Sequence, residues 1–555
     1  MRVPAGKLNP LARALLAVAV LTVAGIPAVA AVAGVARESP AVSPAVSPAA
    51  SPTGGAQRQQ VRVLTAALAT MANGYPSLAP DVPGVTDIDD YGIGSLWRRG
   101  IDGAGTTIAV LEGWDLPQVA TMVAKFDRPL GLPDPAIETI FPAGPLPARC
   151  PPGMVKLGSY GSCQAWGSEL LLDVLTAHLI APYAKILIAV TPADTEITDD
   201  AASQVAPPEM MKAVETIASQ RLANVVSVSD GTGESTYSYG AAEIHAQDPG
   251  ELTAAAAGIP VVAGTGDCGV VQNLAVADSQ CGDTSATPDT GAWDDSPWVT
   301  AVGGAVPDLG PGGRKLGPDP MWHADGISSA GAGFSSVYTR PAYQDDVAAV
   351  TGGSMRSVPD LSMDATDGTS EAAPLLAGVL ALATQANGGD VGPMNPALYG
   401  VLGPAGARDG VEDVVRGDDS VIKRGKVVVP GFAAGPGFDV ASGWGTLYGP
   451  SFVPALVAAT RAADQDVAAR GSAGDQLAAL EDDGIRLARA GGGRFYLLGS
   501  GFLPMHPVRL AVDGRPVAVL HANPLGDVTW LTGRLSGAHT VALASMLITE
   551  TAAIP

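Results

Sequence analysis

The chain has 555 residues, 47% of them hydrophobic, and carries 32 Lys and Arg against 55 Asp and Glu, for a formal net charge of -23. That length predicts several domains, or one large domain with additions. The acidic surplus argues against partners such as nucleic acid or an anionic membrane surface, and suits a protein working in acid, where protonation relieves self-repulsion.

In chain order, Arg2, Lys7 and Arg13 precede an apolar run from Ala14 to Ala36, with small residues such as Ala28 and Ala30 near its end. This order of basic, apolar and small residues predicts that 1–36 is a signal peptide or signal anchor, and so export to the extracellular space or surface. Residues 37–83 hold a Pro/Ser/Ala linker, "SPAVSPAVSPAASPTGG" from Ser39 to Gly55, and a short segment expected to act as a pro-segment. From Ile88 onward, continuous apolar runs alternate with helical patterns. The runs are "TTIAVLE" (Thr106 to Glu112), "AKILIAV" (Ala184 to Val190), "ANVVSVS" (Ala223 to Ser229) and "GIPVVAGTG" (Gly258 to Gly266). Strands of that kind are buried on both faces, and Pro208 to Ala218 and Glu251 to Ala257 read as helices between them, so a mostly parallel α/β sheet is expected over 84–460. A charged, Ala-rich stretch reads as a linker helix over 461–492. Beyond it, 493–555 alternates like strands, with Asp513-Gly514 as a hairpin turn, and reads as a small all-β, Ig-like module.

The 4 cysteines form two local pairs, Cys150 with Cys163 and Cys268 with Cys281. Two short disulfide loops are favoured over a zinc site, since there is no CxxC spacing and no histidine cluster.

Two constellations carry chemistry. In "GSELLLD", Glu169 and Asp173 are four residues apart, on one face of a helix, where they share a proton or a hydrogen bond. In "DGTSEAAP", Ser370 stands at a glycine-led turn into an apolar helix. A serine needs a base before it attacks a carbonyl, and a carboxylate pair can serve. The bland readings are a charge pair at a helix start for Glu169 and Asp173, a helix N-cap for Ser370, and turn chemistry for Asp267 and Asp439. None of the 6 histidines needs a role; His178 lies in an apolar helix.

From about Tyr91 to Pro450 the chain resembles the sedolisin family of serine-carboxyl peptidases. The motifs run in order: "DDYGIGSLWRRGIDGAGTTIAVLE", "GSELLLDVLTAHLIAPYAKI", "AAAAGIPVVAGTGDCG", "SPWVTAVGG", "GAGFSSVYTRPAYQ", "VPDLS", "DGTSEAAP", "EDVVRG" and "AGPGFDVASGWGT". The resemblance implies a subtilisin-like, mostly parallel sheet flanked by helices. It also implies a peptidase acting on peptides or proteins, with Ser370 as nucleophile, Glu169 as general base, Asp173 orienting Glu169, and Asp267 directed at the oxyanion. Glu112 is a further candidate member of the acidic network. One calcium ion is implied, held by Asp413 and Asp439 and by the carbonyls of Val414, Gly435 and Gly437. A subtilisin mechanism would require a His-Gly-Thr-His type motif, which is missing here.

The pattern departs from the family in three places. Only 37–83 stands where a long folded propeptide is usual. The passage from Asp360 to Ser370 is short, and Asp230 replaces a tryptophan. A catalytically weak or inactive surface binding protein on the same fold is therefore the alternative, with the C-terminal module offering contact to a cell wall or other surface.

Overall fold

The computed structural model describes residues 85–150, 163–191, 207–229, 232–237, 241–245, 247–272, 281, 284–310, 314–324, 328–423, 426–475, 485–489, 495–499, 507–521, 528–531, 539–544 and 549–554. The chain divides into two units, Met1–Ala50 and Ser51–Pro555. The expected signal, the expected linker and pro-segment, and Asp230 lie outside the described residues.

A seven-stranded sheet organises the region from 85 to about 450. Its strands are β1 (Thr107–Glu112), β2 (Ala136–Ile140), β3 (Lys185–Val190), β4 (Val225–Val228), β5 (Val261–Gly264), β6 (Val299–Ala305) and β7 (Leu361–Asp364). They lie in the order β7-β6-β5-β4-β1-β3-β2, and every pairing is parallel. The four apolar runs of the sequence supply β1, β3, β4 and β5. Ile108, Val110, Ile186, Ile188, Val225, Val226, Val261 and Val262 are buried, as strands covered on both faces require. Each such aliphatic side chain contributes roughly 1.5–3 kcal/mol by leaving water.

The helices that cover the sheet and position the site are α1 (Val85–Asp90), α2 (Cys163–Ile180), α3 (Pro207–Ser219), α4 (Asp248–Ala257) and α5 (Thr369–Asn387), and α6 (Gly449–Asp475) packs on α5. α2 and α5 are apolar almost all round, the pattern of helices enclosed in a core. They touch closely: a Cβ on Gly378 of α5 would lie 2.6 Å from the Ile180 Cβ and 3.4 Å from the Ala177 carbonyl of α2. α5 also runs against β4, β5 and β6. The strand order reverses at β1, and in open parallel sheets the crevice beyond the carboxyl ends at such a reversal is where ligands bind.

The expected linker helix requires a correction. α6 begins at Gly449, inside the expected α/β domain, and Ile485–Arg489 is a strand paired antiparallel with Phe495–Gly499. The β region therefore starts by 485 and not at 493. Its strands are β8 (Ile485–Arg489), β9 (Phe495–Gly499), β10 (Pro507–Val512), β11 (Arg515–His521), β12 (Val528–Leu531), β13 (His539–Ala544) and β14 (Thr549–Ile554). They form two antiparallel sheets, β8-β9-β12 and β11-β10-β13-β14, whose inward residues Leu497, Val508, Leu510, Val528, Val541 and Leu543 make one core. The hairpin turn falls at Asp513 and Gly514, both at positive φ (49° and 72°), as a two-residue turn needs.

Candidate active site

Three carboxyl ends of neighbouring strands lie side by side. β1 ends at Glu112, β4 leads into Ser229, and β5 leads through Thr265 and Gly266 to Asp267. Glu112 is fully buried, and Asp267 and Ser229 are half-buried. Asp267 precedes Cys268, which is bridged to Cys281; Cys150 is bridged to Cys163 at the start of α2. Both expected disulfides are present.

The serine turn packs directly on Asp267. Thr369 donates its N–H to Asp267 Oδ1 (2.7 Å) and its hydroxyl to the same oxygen (3.0 Å), while Gly266 N–H donates to Thr369 Oγ1 (3.0 Å). Gly368 has φ +94°, and a Cβ there would sit 2.7 Å from Asp267 Oδ2. Only glycine meets both demands. Ser370 follows, in the first turn of α5.

Ser229 joins this turn to the acid pair. Pro374 lies four residues after Ser370 inside α5 and has no N–H, so the Ser370 carbonyl lacks its helical donor. The Ser229 hydroxyl fills that role, donating to the Ser370 carbonyl at 3.1 Å. The same hydroxyl lies beside Asp173. Burial, reinforced by the charge of Glu169, holds the Asp173 carboxyl well above its ordinary range, and Ser229 opposes that rise. Glu169, one helical turn earlier, is half-buried. The structure thus brings Glu169, Asp173, Ser229, Ser370 and Asp267 to one end of the sheet. Sequence reasoning missed Ser229. The signal that points to it is the proline of "SEAAP", which leaves a carbonyl in need of a donor.

The short passage before the serine is a complete turn. Asp360 is locked by Arg356 in two bonds (2.8 and 2.7 Å), by the Ala301 N–H and by the Tyr399 hydroxyl. β7 then ends at Asp364, whose Oδ1 accepts from the Thr366 N–H (2.9 Å) and hydroxyl (2.7 Å). Gly368 N–H closes back on the Ala365 carbonyl (2.9 Å).

The expected calcium ligands also converge. Gly437 N–H donates to Asp413 Oδ2 (2.8 Å) and Gly435 N–H to Asp439 Oδ2 (2.7 Å), so one glycine turn spans both carboxylates. Gly437 needs its glycine, at φ +79°. Ser442 donates to Asp439 Oδ1 through N–H (2.8 Å) and hydroxyl (3.0 Å), and its hydroxyl lies 3.5 Å from the Val414 carbonyl. Asp413 Oδ1 is buried with no hydrogen-bond donor, and burial raises the carboxyls of both Asp413 and Asp439. An all-oxygen set with an unsatisfied carboxylate fits a hard cation.

Fold and site together define a parallel α/β protein whose serine turn, at the carboxyl edge of the sheet, is linked through Ser229 to a carboxylate pair. The chain is 28% identical over 386 residues to kumamolisin from Bacillus sp. (strain MN-32), covering 65% of this chain and 61% of kumamolisin's own length. It is 30% identical over 197 residues to human tripeptidyl-peptidase 1, covering 29% of this chain and 31% of that protein. In structure it is similar to Pseudomonas sedolisin, a serine-carboxyl proteinase solved with two molecules of pseudo-iodotyrostatin. That likeness has a TM-score of 0.52 at 24% identity and covers 65% of this chain and 94% of that one. No family model matches the chain. By these likenesses the chain is similar to sedolisins in sequence and in fold.

Proposed function

We propose that the chain is an exported serine-carboxyl peptidase, hydrolysing peptide bonds in acid through an acyl-enzyme on Ser370. Glu169 takes the Ser370 hydroxyl proton as the oxygen attacks the scissile carbonyl, and returns it to the leaving amine. Asp173 orients Glu169. Asp267 donates a hydrogen bond to the oxyanion, which a carboxyl does only while protonated. A glutamate base works at pH values where histidine is fully protonated. The reaction and its acid optimum therefore come from the same residues.

The supporting observation is the way Ser370 is held. Its neighbour Thr369 is bound to Asp267, and its own carbonyl to Ser229, which stands beside the acid pair. One calcium ion, held by Asp413, Asp439 and the carbonyls of Val414, Gly435 and Gly437, would brace the loops around Asp413 and Asp439 with its charge. Peptides or proteins are the substrates, and nucleic acid is not a partner. The two disulfides suit an oxidising compartment, and no described helix is long and apolar enough to cross a membrane.

The test is cleavage of a mixed peptide library from pH 3 to 8 by the wild-type chain and by Ser370→Ala. Turnover should rise toward acid and fall at least about 10⁴-fold in the variant. No cleavage at any pH by folded, calcium-loaded protein would sink the reading and leave a binding protein on the same fold.

A further inference from the structure

A second group of acids lies behind the nucleophile turn, outside the residues assigned so far. Asp87 of α1, Asp364 at the end of β7 and Glu371 beside Ser370 each offer a carboxylate oxygen, and these oxygens lie within 4.8 Å of one another. Asp87 and Glu371 are 0% exposed and Asp364 is 2% exposed. Three carboxylates brought together from separate segments and stripped of water repel one another strongly unless something positive sits among them.

The surroundings supply little of that. Neither Asp87 oxygen meets an N–H or O–H donor; its neighbour is the carboxylate of Asp364. Glu371 Oε2 accepts from the Asp367 N–H at 3.0 Å, but its buried Oε1 has no donor. The nearby cation, Lys315, is taken by Asp90 (3.2 Å), Asp319 (2.9 Å) and Glu412 (2.7 Å). Among the described residues no Lys or Arg pairs with Asp87, Asp364 or Glu371. The Tyr91 hydroxyl, 2.5 Å from the Asp364 N–H it accepts from, adds a further oxygen beside the group.

We propose that Asp87, Asp364 and Glu371 form a second divalent-cation site, built for a hard ion of the calcium or magnesium kind, directly behind the nucleophile turn. Carboxylate oxygens alone, with a phenol oxygen near and no thiol or imidazole, select such an ion over zinc or copper. An oxygen-to-oxygen spread of up to 4.8 Å matches ligands on opposite sides of an ion bound at about 2.4 Å. A divalent charge offsets two of the three negative charges and gives the donorless oxygens of Asp87 and Glu371 a partner. Because the other oxygen of Glu371 already holds the backbone at Asp367, the bound ion ties α1, β7 and the start of α5 into one unit. Its place differs from the Asp413–Asp439 loop, so the two sites are separable by mutation.

The probe is calcium chloride itself, counted by equilibrium dialysis and by calorimetric titration at pH 7 with the full chain carrying Ser370→Ala, which prevents self-cleavage. Neutral pH limits competition from protons for the same oxygens. Two ions per chain are expected. Glu371→Gln and Asp87→Asn should each bind one ion, the second site weakening by about 100-fold, the upper end for a disturbed metal site. Asp439→Asn, which leaves the new site untouched, should also keep one ion and gain thermal stability on calcium addition. That last measurement stands even where Glu371→Gln fails to fold. The proposal is overturned if Asp439→Asn binds no calcium, or if folded Glu371→Gln and Asp87→Asn bind as many ions as the parent. Ion counting is independent of peptide cleavage, so this result and the fate of the peptidase reading are read separately.

Discussion

The α/β region and the C-terminal β region bury very different things. The core around the parallel sheet takes in Asp87, Glu112, Asp173, Glu251, Asp294, Asp295, Arg356, Asp360 and Glu371, all at 2% exposure or less. The described core of the β region is Leu497, Val508, Leu510, Val528, Val541 and Leu543, with no ionisable group among them. Burying charge costs folding free energy unless it is paired, and aliphatic burial has no such cost. The contrast teaches where costly groups are placed: the α/β core buries many acids around the parallel sheet, while the described core of the β region is purely aliphatic.

The contrast can be broken most forcefully at Asp267. Asp267→Ala removes both the oxygen that accepts from Thr369 and the carboxyl that would donate to the oxyanion. kcat is expected to fall about 10²–10³-fold, the cost of losing one oxyanion donor, and the rise of kcat toward acid should flatten. A variant with an unchanged pH profile would remove Asp267 from the oxyanion role.

Melting against pH sharpens the comparison next. Burial raises the carboxyls of Asp173, Glu251, Asp294 and Asp295 well above their ordinary values. Groups so raised bind protons more readily folded than unfolded. Their stabilising contribution is complete below the unfolded values near 4 and is lost as pH rises through the folded ones, at about 1.4 kcal/mol for each pH unit that separates folded from unfolded pKa. In calorimetry at saturating calcium, the α/β transition should therefore move to lower temperature from pH 4.5 to 8, while the β transition stays in place. Two transitions falling in parallel would erase the distinction.

A smaller effect is expected at Ser229. Ser229→Ala strands the Ser370 carbonyl, at about 1–3 kcal/mol for an unsatisfied buried acceptor, and should lower kcat about tenfold with KM little changed. Restoration by Ser229→Thr, which keeps the hydroxyl, would separate positioning from packing. The smallest effect is expected from removing all residues after Asp475: turnover on short peptides should be unchanged, while loss of retention on the cell surface would assign the β region an anchoring role. A drop in peptide turnover would show instead that the two regions are coupled.

Much of this was legible in the sequence, for identifiable reasons. The four apolar runs were legible because strands buried on both faces are continuous. The Glu169–Asp173 pair and the Ser370 turn were legible because each is encoded within a few consecutive residues. Ser229 was not, since its role depends on a proline 145 positions later that removes a donor. The group of Asp87, Asp364 and Glu371 was hidden for the same reason: its members come from three elements, and each alone reads as an ordinary surface acid. The strand Ile485–Arg489 was read as helix because five residues in a charged, Ala-rich setting show too little alternation to be told apart.

The turn between β7 and α5 has a consequence for how such a protein changes over time. Both of its ends are pinned, by Asp364 to Thr366 and by Glu371 to Asp367, while Thr366 itself is exposed. New residues inserted at that crest would extend into solvent without disturbing the anchors on either side. A lineage can thus lengthen or trim one surface loop while the Ser370 turn stays where it is.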